Sequence, residues 1–191
     1  ESRGCFDTDP ILCGTRYGNV MGSRGSVIPL FLQKIRDGNP ITITDPTMTR
    51  FLMSLYDSVD LVLYAFNNGA PGDIFVQKSP AATVDVLAEA LMQIMRKKVP
   101  IEIIGTRHGE KKHETLVSRE EMARADDLDQ YYRIKADNRD LNYRKYTETG
   151  NIKANALEDY TSENTKQLDV AGTVSLLTNV PYLLEMINSF K

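Results

Sequence analysis

Two amphipathic stretches, at residues 54–66 and 83–96, most constrain what this chain can fold into. Each demands an apolar layer to cover one face, and the apolar runs around them are too short to be helices. In the first, Leu55, Val59, Val62, Leu63 and Phe66 recur at helical spacing, which predicts that this face is the buried one. In the second, Val84, Leu87, Ala88, Leu91 and Met95 do the same. A third helix is predicted over 27–36, with Val27, Leu30, Phe31 and Ile35 in register. Short apolar runs at 11–16, 41–43, 73–77 and 101–104 read as strands, those at 11–16 and 101–104 as buried ones. The order is mixed α/β, without the regular strand–helix alternation of a complete doubly wound sheet.

Local chemistry punctuates these elements. Asp37-Gly38-Asn39-Pro40 ends the first helix. Ser118-Arg119-Glu120-Glu121 is a capping box that starts a short helix. Asp169 caps a helix through Leu176 and Leu177, and Pro181 suits the first turn of a last helix through Met186. Residues 137–163 are polar and aperiodic, which predicts an extended arm or a partly mobile tail. Two domains follow, 1–135 and a C-terminal extension at 136–191. With 41% hydrophobic and 26% charged residues the chain is ordinary for a globular protein, and a net charge of -3 gives no broad nucleic-acid footprint. No apolar run is long enough to span a bilayer, and the start has no signal-peptide pattern, so no membrane is expected and the cytoplasm is the expected compartment. Residue 1 is Glu rather than Met, which reads as a cut or renumbered chain. Cys5 and Cys13 are too few for a disulfide framework or zinc site, and Cys13 reads as a small core residue.

Several residue patterns invite a chemical reading. Gly14, Gly18, Gly22 and Gly25 match neither the dinucleotide fingerprint nor the P-loop, so they read as a loop whose backbone closes over a ligand. Tyr131 and Lys135 have the Y-x-x-x-K spacing of short-chain dehydrogenases, but that chemistry needs a helix beside a nicotinamide, and the pair reads as a decoy. His108 and His113 are five apart rather than four, which favours a solvated or substrate-facing loop over a metal site. Thr106-Arg107-His108-Gly109-Glu110-Lys111 follows a strand, where α/β ligand sites gather. There Arg107 can clasp a diphosphate in bidentate fashion, and Glu110 can accept hydrogen bonds from two ribose hydroxyls. Arg50, at the edge of an apolar run, is either a structural ion-pair partner or an anion ligand. Lys78 is either solvated or close to a sugar or phosphate.

Four blocks together resemble one family. They are Thr15-Arg16-Tyr17-Gly18-Asn19-Val20-Met21, Ser23-Arg24-Gly25-Ser26-Val27-Ile28-Pro29, Asp45-Pro46-Thr47-Met48-Thr49-Arg50-Phe51 and Gly105-Thr106-Arg107-His108-Gly109-Glu110-Lys111. Tyr131-Tyr132-Arg133-Ile134, Asn138-Arg139-Asp140-Leu141-Asn142-Tyr143 and Asp159-Tyr160-Thr161-Ser162 add to it. The chain is similar to the UDP-N-acetylglucosamine 4,6-dehydratases with C5 inversion, extended short-chain dehydrogenases of capsule and O-antigen synthesis.

The resemblance implies an α/β fold: the C-terminal portion of an extended short-chain dehydrogenase. One or two strands of an incomplete Rossmann sheet would accompany a small mixed α/β substrate-binding domain. The parent holds NADP or NAD in an N-terminal half, whose cofactor loop and catalytic helix would precede residue 1. No catalytic residue and no bound cofactor is therefore expected in this chain alone, and Tyr17 is the residue placed beside the parent's cofactor. Asn19 would contact the sugar nucleotide, and Ser26, Val27 and Pro29 would line the uracil and phosphate region. Arg50, Arg107 and Glu110 would hold diphosphate and ribose, with Lys78 the last candidate. The implied ligand is UDP-N-acetylglucosamine or a related UDP-sugar. The implied partner is a second copy or a cofactor-domain chain, docked on an exposed sheet edge. Alone the chain is expected to be inactive; the alternative is a non-enzymatic UDP-sugar-binding or assembly module.

Overall fold

The computed structural model describes residues 10–106, 108–136 and 158–191. Arg107, Cys5 and most of the expected polar arm lie outside the described residues. In chain order the elements are β1 (Gly14–Arg16), α1 (Val27–Asp37), β2 (Ile41–Ile43), β3 (Thr49–Phe51), α2 (Leu55–Asn68), β4 (Ile74–Gln77), β5 (Ala81–Thr83) and α3 (Val84–Met95). They continue with β6 (Ile101–Ile103), β7 (Thr115–Val117), α4 (Arg119–Met122), β8 (Ala125–Asp127), β9 (Tyr131–Ile134), β10 (Tyr160–Thr161), α5 (Val170–Asn179) and α6 (Pro181–Ser189). The class is α/β with small, incomplete sheets, as expected. The chain divides into two compact units. A sheet unit takes the described residues up to Tyr17, Tyr56–Lys78 and those between Thr115 and Thr161. A helical unit takes Gly18–Leu55, Ser79–Glu114 and Ser162–Lys191.

The sheet unit is built on four strands in the order β1-β4-β9-β8. β1 runs parallel to β4, with Thr15 opposite Phe75, while β4–β9 and β9–β8 are antiparallel. Asp129 turns the β8–β9 hairpin at φ 64, a conformation an Asp side chain tolerates. Phe75, Val76 and Ile134 are fully buried. A second, two-stranded sheet pairs β7 with β10, and Asp159 accepts from the Arg119 N–H at 2.7 Å. Residues 158–163 are thus packed chain rather than the end of a loose arm, since Tyr160 is buried and paired. Ser118 forms the expected capping box with Glu121. Arg16 clasps the Glu121 carboxylate through both terminal nitrogens, at 2.7 and 3.1 Å, and holds that carboxyl below the usual carboxylate range.

Three expectations in this unit are corrected. The first strand covers only Gly14–Arg16 and is half-buried; Ile11 and Leu12 are exposed because nothing among the described residues packs over them. Cys13 is likewise exposed, its Sγ against the Ala65 carbonyl, and is not a core residue. In α2 the buried positions are Ser58, Leu61 and Ala65, whereas Leu55, Val59, Val62, Leu63 and Phe66 all face outward, Phe66 at 84% exposure. Small residues permit the close approach: Tyr64 meets Phe75 edge-on at 5.6 Å and stacks on Tyr131 at 4.4 Å. Burial pushes the Tyr131 hydroxyl's pKa up, helped by Asp60. Tyr131 lies in β9 and Lys135 just past its end, so the pair is not on the helix that such chemistry needs.

The helical unit packs α1, α3, α5 and α6 around one apolar core that includes Phe31, Leu32, Ile35, Leu87, Leu91, Leu177, Leu183 and Ile187. Each such side chain contributes about 1.5–3 kcal/mol when fully buried. α1 runs from Ser26 to a Gly38 cap at φ 73. Its buried face is Ile28, Phe31, Leu32 and Ile35, so Leu30, expected inward, is instead 49% exposed. Thr83 caps α3 by accepting from the Val86 N–H, and Asp169 caps α5 by accepting from Gly172 at 2.7 Å. Pro181 opens α6 as expected. β2 pairs parallel with β6, and β3 antiparallel with β5. β6 is not the buried strand that its apolar sequence suggests, because it lies on the open side of this two-stranded sheet; Ile103 is 65% exposed. Among the described residues no single helix is long and apolar enough to cross a membrane.

Gly18 enters this unit against Phe51, where an added Cβ would lie 2.5 Å from the Phe51 Cβ. Phe51 is fully buried and cannot swing away. Gly18→Ala is expected to cost about 1–3 kcal/mol, the usual range for overpacking, read from the urea midpoint. An unchanged midpoint would show that the chain has room there.

Candidate functional site

The helical unit contains a cavity of about 470 Å³ between the start of α1, β2, β3 and the chain after β6. Asn19, Ser26, Val27, Arg50 and Glu110, five of the residues singled out from sequence, line it together. Its walls are apolar at Met21, Ile28, Phe31, Leu52 and Leu87, and polar at Asn19, Ser26, Thr44, Arg50 and Glu110.

α1 presents its N-terminus to this cavity. Its first turn carries no acidic residue, and Ser26 makes no side-chain capping bond. The Ser26 Oγ is buried and has no hydrogen-bond partner among the described residues, an unusual state for a buried hydroxyl. The first N–H groups of a helix have no intrahelical acceptor, and Pro29 removes one of them, so Val27 and Ile28 supply the remaining donors of that turn. Such an end attracts anions.

Opposite in chemical sense stands Glu110. Thr44 Oγ1 donates to its Oε1 at 3.0 Å. Thr44 directly follows β2 and precedes Asp45-Pro46, whose Asx turn is fixed by the Asp45 carboxylate accepting from the Thr47 hydroxyl and N–H, at 2.7 and 2.8 Å. Those two bonds, the hydroxyl's first, hold the Asp45 carboxyl below its usual range. Gly109, at φ 81, turns the chain so that Glu110 faces the cavity.

Arg50 is engaged by the backbone. Its Nη1 donates to the Thr49 and Lys112 carbonyls at 2.8 and 3.2 Å, and its Nη2 to the Lys111 carbonyl at 3.0 Å. Nearby, Thr49 Oγ1 lies 2.8 Å from His113 Nδ1 and 2.7 Å from Ser162 Oγ, and Ser162 accepts from the Glu114 N–H. His113 is therefore packed into a polar network rather than held in a solvated or substrate-facing loop.

The other nominated residues fall elsewhere. Pro29 sits in the first turn of α1 but is not among the lining residues. Lys78 belongs to the sheet unit, where its Nζ pairs with Asp127 and lies over the Tyr132 ring. Tyr17 follows β1 in the sheet unit and is 45% exposed. Arg107 lies outside the described residues. Thr44 escaped the sequence reading, and the signal that could have found it was its place at the end of a strand, before an Asp-Pro turn.

A nicotinamide dinucleotide needs a glycine turn that leads from a strand straight into a helix. β1 is followed by Tyr17-Gly18-Asn19 and β4 by Lys78-Ser79-Pro80, and neither opens a helix with that spacing. The described residues do not fit that group.

A family model described as "Polysaccharide biosynthesis protein" matches residues 3–136. The chain belongs to the polysaccharide biosynthesis protein family. A second model, "Polysaccharide biosynthesis protein C-terminal", matches residues 137–183 of the chain. It is 58% identical over 189 residues to a UDP-glucose 4-epimerase of Rickettsia akari, covering 99% of the chain and 55% of the relative. It is 62% identical over 175 residues to a UDP-glucose 4-epimerase of Rickettsia prowazekii, covering 92% and 51%. The solved structure of Pen from Bacillus thuringiensis superposes with a TM-score of 0.72 at 30% identity, over 88% of the chain and 49% of Pen. The chain thus spans about half the length of the curated relatives it matches.

Proposed function

We propose that the cavity of the helical unit binds the nucleotide of a UDP-sugar, and that the chain is the substrate-binding half of a nucleotide-sugar dehydratase or epimerase. The observation that carries this reading is the unpartnered, buried Ser26 Oγ at the N-terminus of α1, in the same cavity as Glu110. The helix end suits a phosphate. Glu110 suits a ribose, because a carboxylate has about four lone-pair sites, enough to hold Thr44 and take two further hydroxyls. The apolar walls suit a base or the carbon face of a sugar.

In this reading Ser26 and the Val27 and Ile28 N–H groups bind phosphate oxygens, Glu110 fixes the ribose, and Asn19 contacts the sugar nucleotide. Pro29 shapes the helix entrance, and Arg107 adds charge to the diphosphate. Tyr17 and Lys78 would serve the parent's cofactor and sugar. The cofactor, NADP or NAD, would be held by the half of the parent that this chain does not match. The motif set favours UDP-N-acetylglucosamine 4,6-dehydration with inversion at C5. The likeness to the UDP-glucose 4-epimerases of Rickettsia favours inversion at C4 instead. Analysis of the product formed with the parent's other half separates the two, since only dehydration loses water. Turnover by the purified chain alone would refute its inactivity.

Glu110→Gln is expected to weaken UDP binding by about 1.5–3 kcal/mol, the range for a hydrogen bond to a charged group. Isothermal titration measures it, and an unchanged affinity would remove Glu110 from the site. A second reading, an assembly module that pairs with another chain, draws on the edge position of β1 in its sheet among the described residues and on the outward apolar face of α2.

A further inference from the structure

We propose that Tyr182, on the last helix α6, is a positioning residue for the phosphate end of the cavity, and that it acts through the loop from Gly18 to Ser26. This deepens the nucleotide reading and rests on it. No residue of α6 lines the cavity, so anything this helix does to a ligand passes through the chain between them. That chain is the loop, which brings Asn19, Val20, Met21, Ser23 and Ser26 to the lining and then opens α1. Val20 bridges Met53, and the Met21 N–H donates to the Met53 carbonyl at 2.9 Å. α6 adds a second hold: the Tyr182 hydroxyl donates to the Met21 carbonyl at 3.1 Å.

The same hydroxyl oxygen accepts from the Leu55 N–H at 3.0 Å. A phenol has one proton to give and an oxygen that also accepts, so both bonds form at once. Leu55 opens α2, and the first N–H groups of a helix find no acceptor inside it, so the bond meets a standing need. Leu55 thereby fixes the hydroxyl, and the hydroxyl fixes the Met21 carbonyl. Next in the chain, Gly22 sits at φ 75 against α6. A Cβ there would lie 2.7 Å from Leu183 Cδ2, and Leu183 is fully buried. Beyond Gly22 the hold weakens. Ser23, Arg24 and Gly25 are exposed, and a Cβ at Gly25 would meet nothing within 4 Å. The Ser26 N–H donates to the Ser23 carbonyl at 3.1 Å, so the turn into α1 hangs from the pinned residues before it. Where the buried Ser26 hydroxyl stands is thus set by how firmly Met21 and Gly22 are held.

The test titrates UDP and uridine, which keeps the base and ribose but has no phosphate, by NMR into the full chain. The variants are Tyr182→Phe, Ser26→Ala, Glu110→Gln, and Tyr182→Phe combined with each of the other two. Phenylalanine keeps the ring beside Gly22 and removes only the hydroxyl. The expected result is that Tyr182→Phe weakens UDP about tenfold and leaves uridine unchanged. Ser26→Ala should absorb most of that loss in the double variant. Glu110→Gln should add to it in full, because its carboxylate is carried by a different segment. Amide exchange across residues 21–26 should accelerate in Tyr182→Phe while Leu177 stays protected. Equal losses for UDP and uridine, or full additivity with Ser26→Ala, would make the hydroxyl a support of the fold alone and overturn the proposal. Unchanged UDP affinity in Tyr182→Phe would overturn it and leave the nucleotide reading standing, as would a Met21 amide that exchanges at the open-chain rate in wild type. If wild type did not bind UDP, that reading would fall and the proposal with it.

Discussion

Asp73→Ala is expected to destabilise the sheet unit by about 3 kcal/mol, the lower end of the range for breaking a buried ion pair. Asp73 is 3% exposed and accepts from Arg133 Nε and Nη2, both at 2.7 Å, and from the Ala70 N–H at 3.0 Å. It therefore joins the turn before β4 to the neighbouring strand β9, at the point where the two begin to pair. Removing the carboxylate leaves a guanidinium and an N–H without their acceptor. Arg133 is 29% exposed and keeps a path to water, which sets the lower end rather than the upper. Asp73→Asn should cost less, because the amide oxygen still accepts from Ala70. Urea unfolding monitored on the sheet unit measures both, and a loss below about 1 kcal/mol in Asp73→Ala would mean that the pair is no better than an exposed one.

Phe31→Ala should cost the helical unit a comparable amount, about 3–5 kcal/mol for emptying a buried aromatic site. Phe31 is 1% exposed, yet it belongs both to the core and to the wall of the cavity. Its loss would enlarge the space beside the α1 N-terminus, where water can enter and soften the penalty, so the lower half of the range is expected. Chemical denaturation measures the cost. Leu32→Ala is the control: its site is fully buried and away from the cavity lining, so it cannot fill with water in the same way. A Phe31→Ala variant as stable as wild type would show that the wall is not packed.

The parts of the fold that were legible are those fixed by local chemistry. The Ser118 capping box, the Asp169 cap, the Gly38 stop and the Pro181 start all stand where the sequence puts them, because each acts within one turn of chain. β3, β5, β7, β8, β9 and β10 were not read, since runs of two to four residues become strands only through distant partners. α2 shows the limit of periodicity. Its apolar stripe was legible, but Ser58, Leu61 and Ala65 are the buried face, because small side chains let the helix sit close to its sheet. The clustering of Asn19, Ser26, Val27, Arg50 and Glu110 was legible only through family resemblance. The engagement of Arg50 by carbonyl oxygens could not be, since any residue supplies a carbonyl.

The measurement that bears most directly on the proposed UDP-sugar site is NMR shift mapping of the chain with UDP-N-acetylglucosamine. Saturable perturbation of the Ser26, Val27, Ile28, Thr44 and Glu110 amides is the predicted result, with the core at Leu177 and Leu183 unmoved. No perturbation at the α1 N-terminus, or shifts gathered instead around Arg96, Lys97 and Lys98 at the far end of α3, would contradict it.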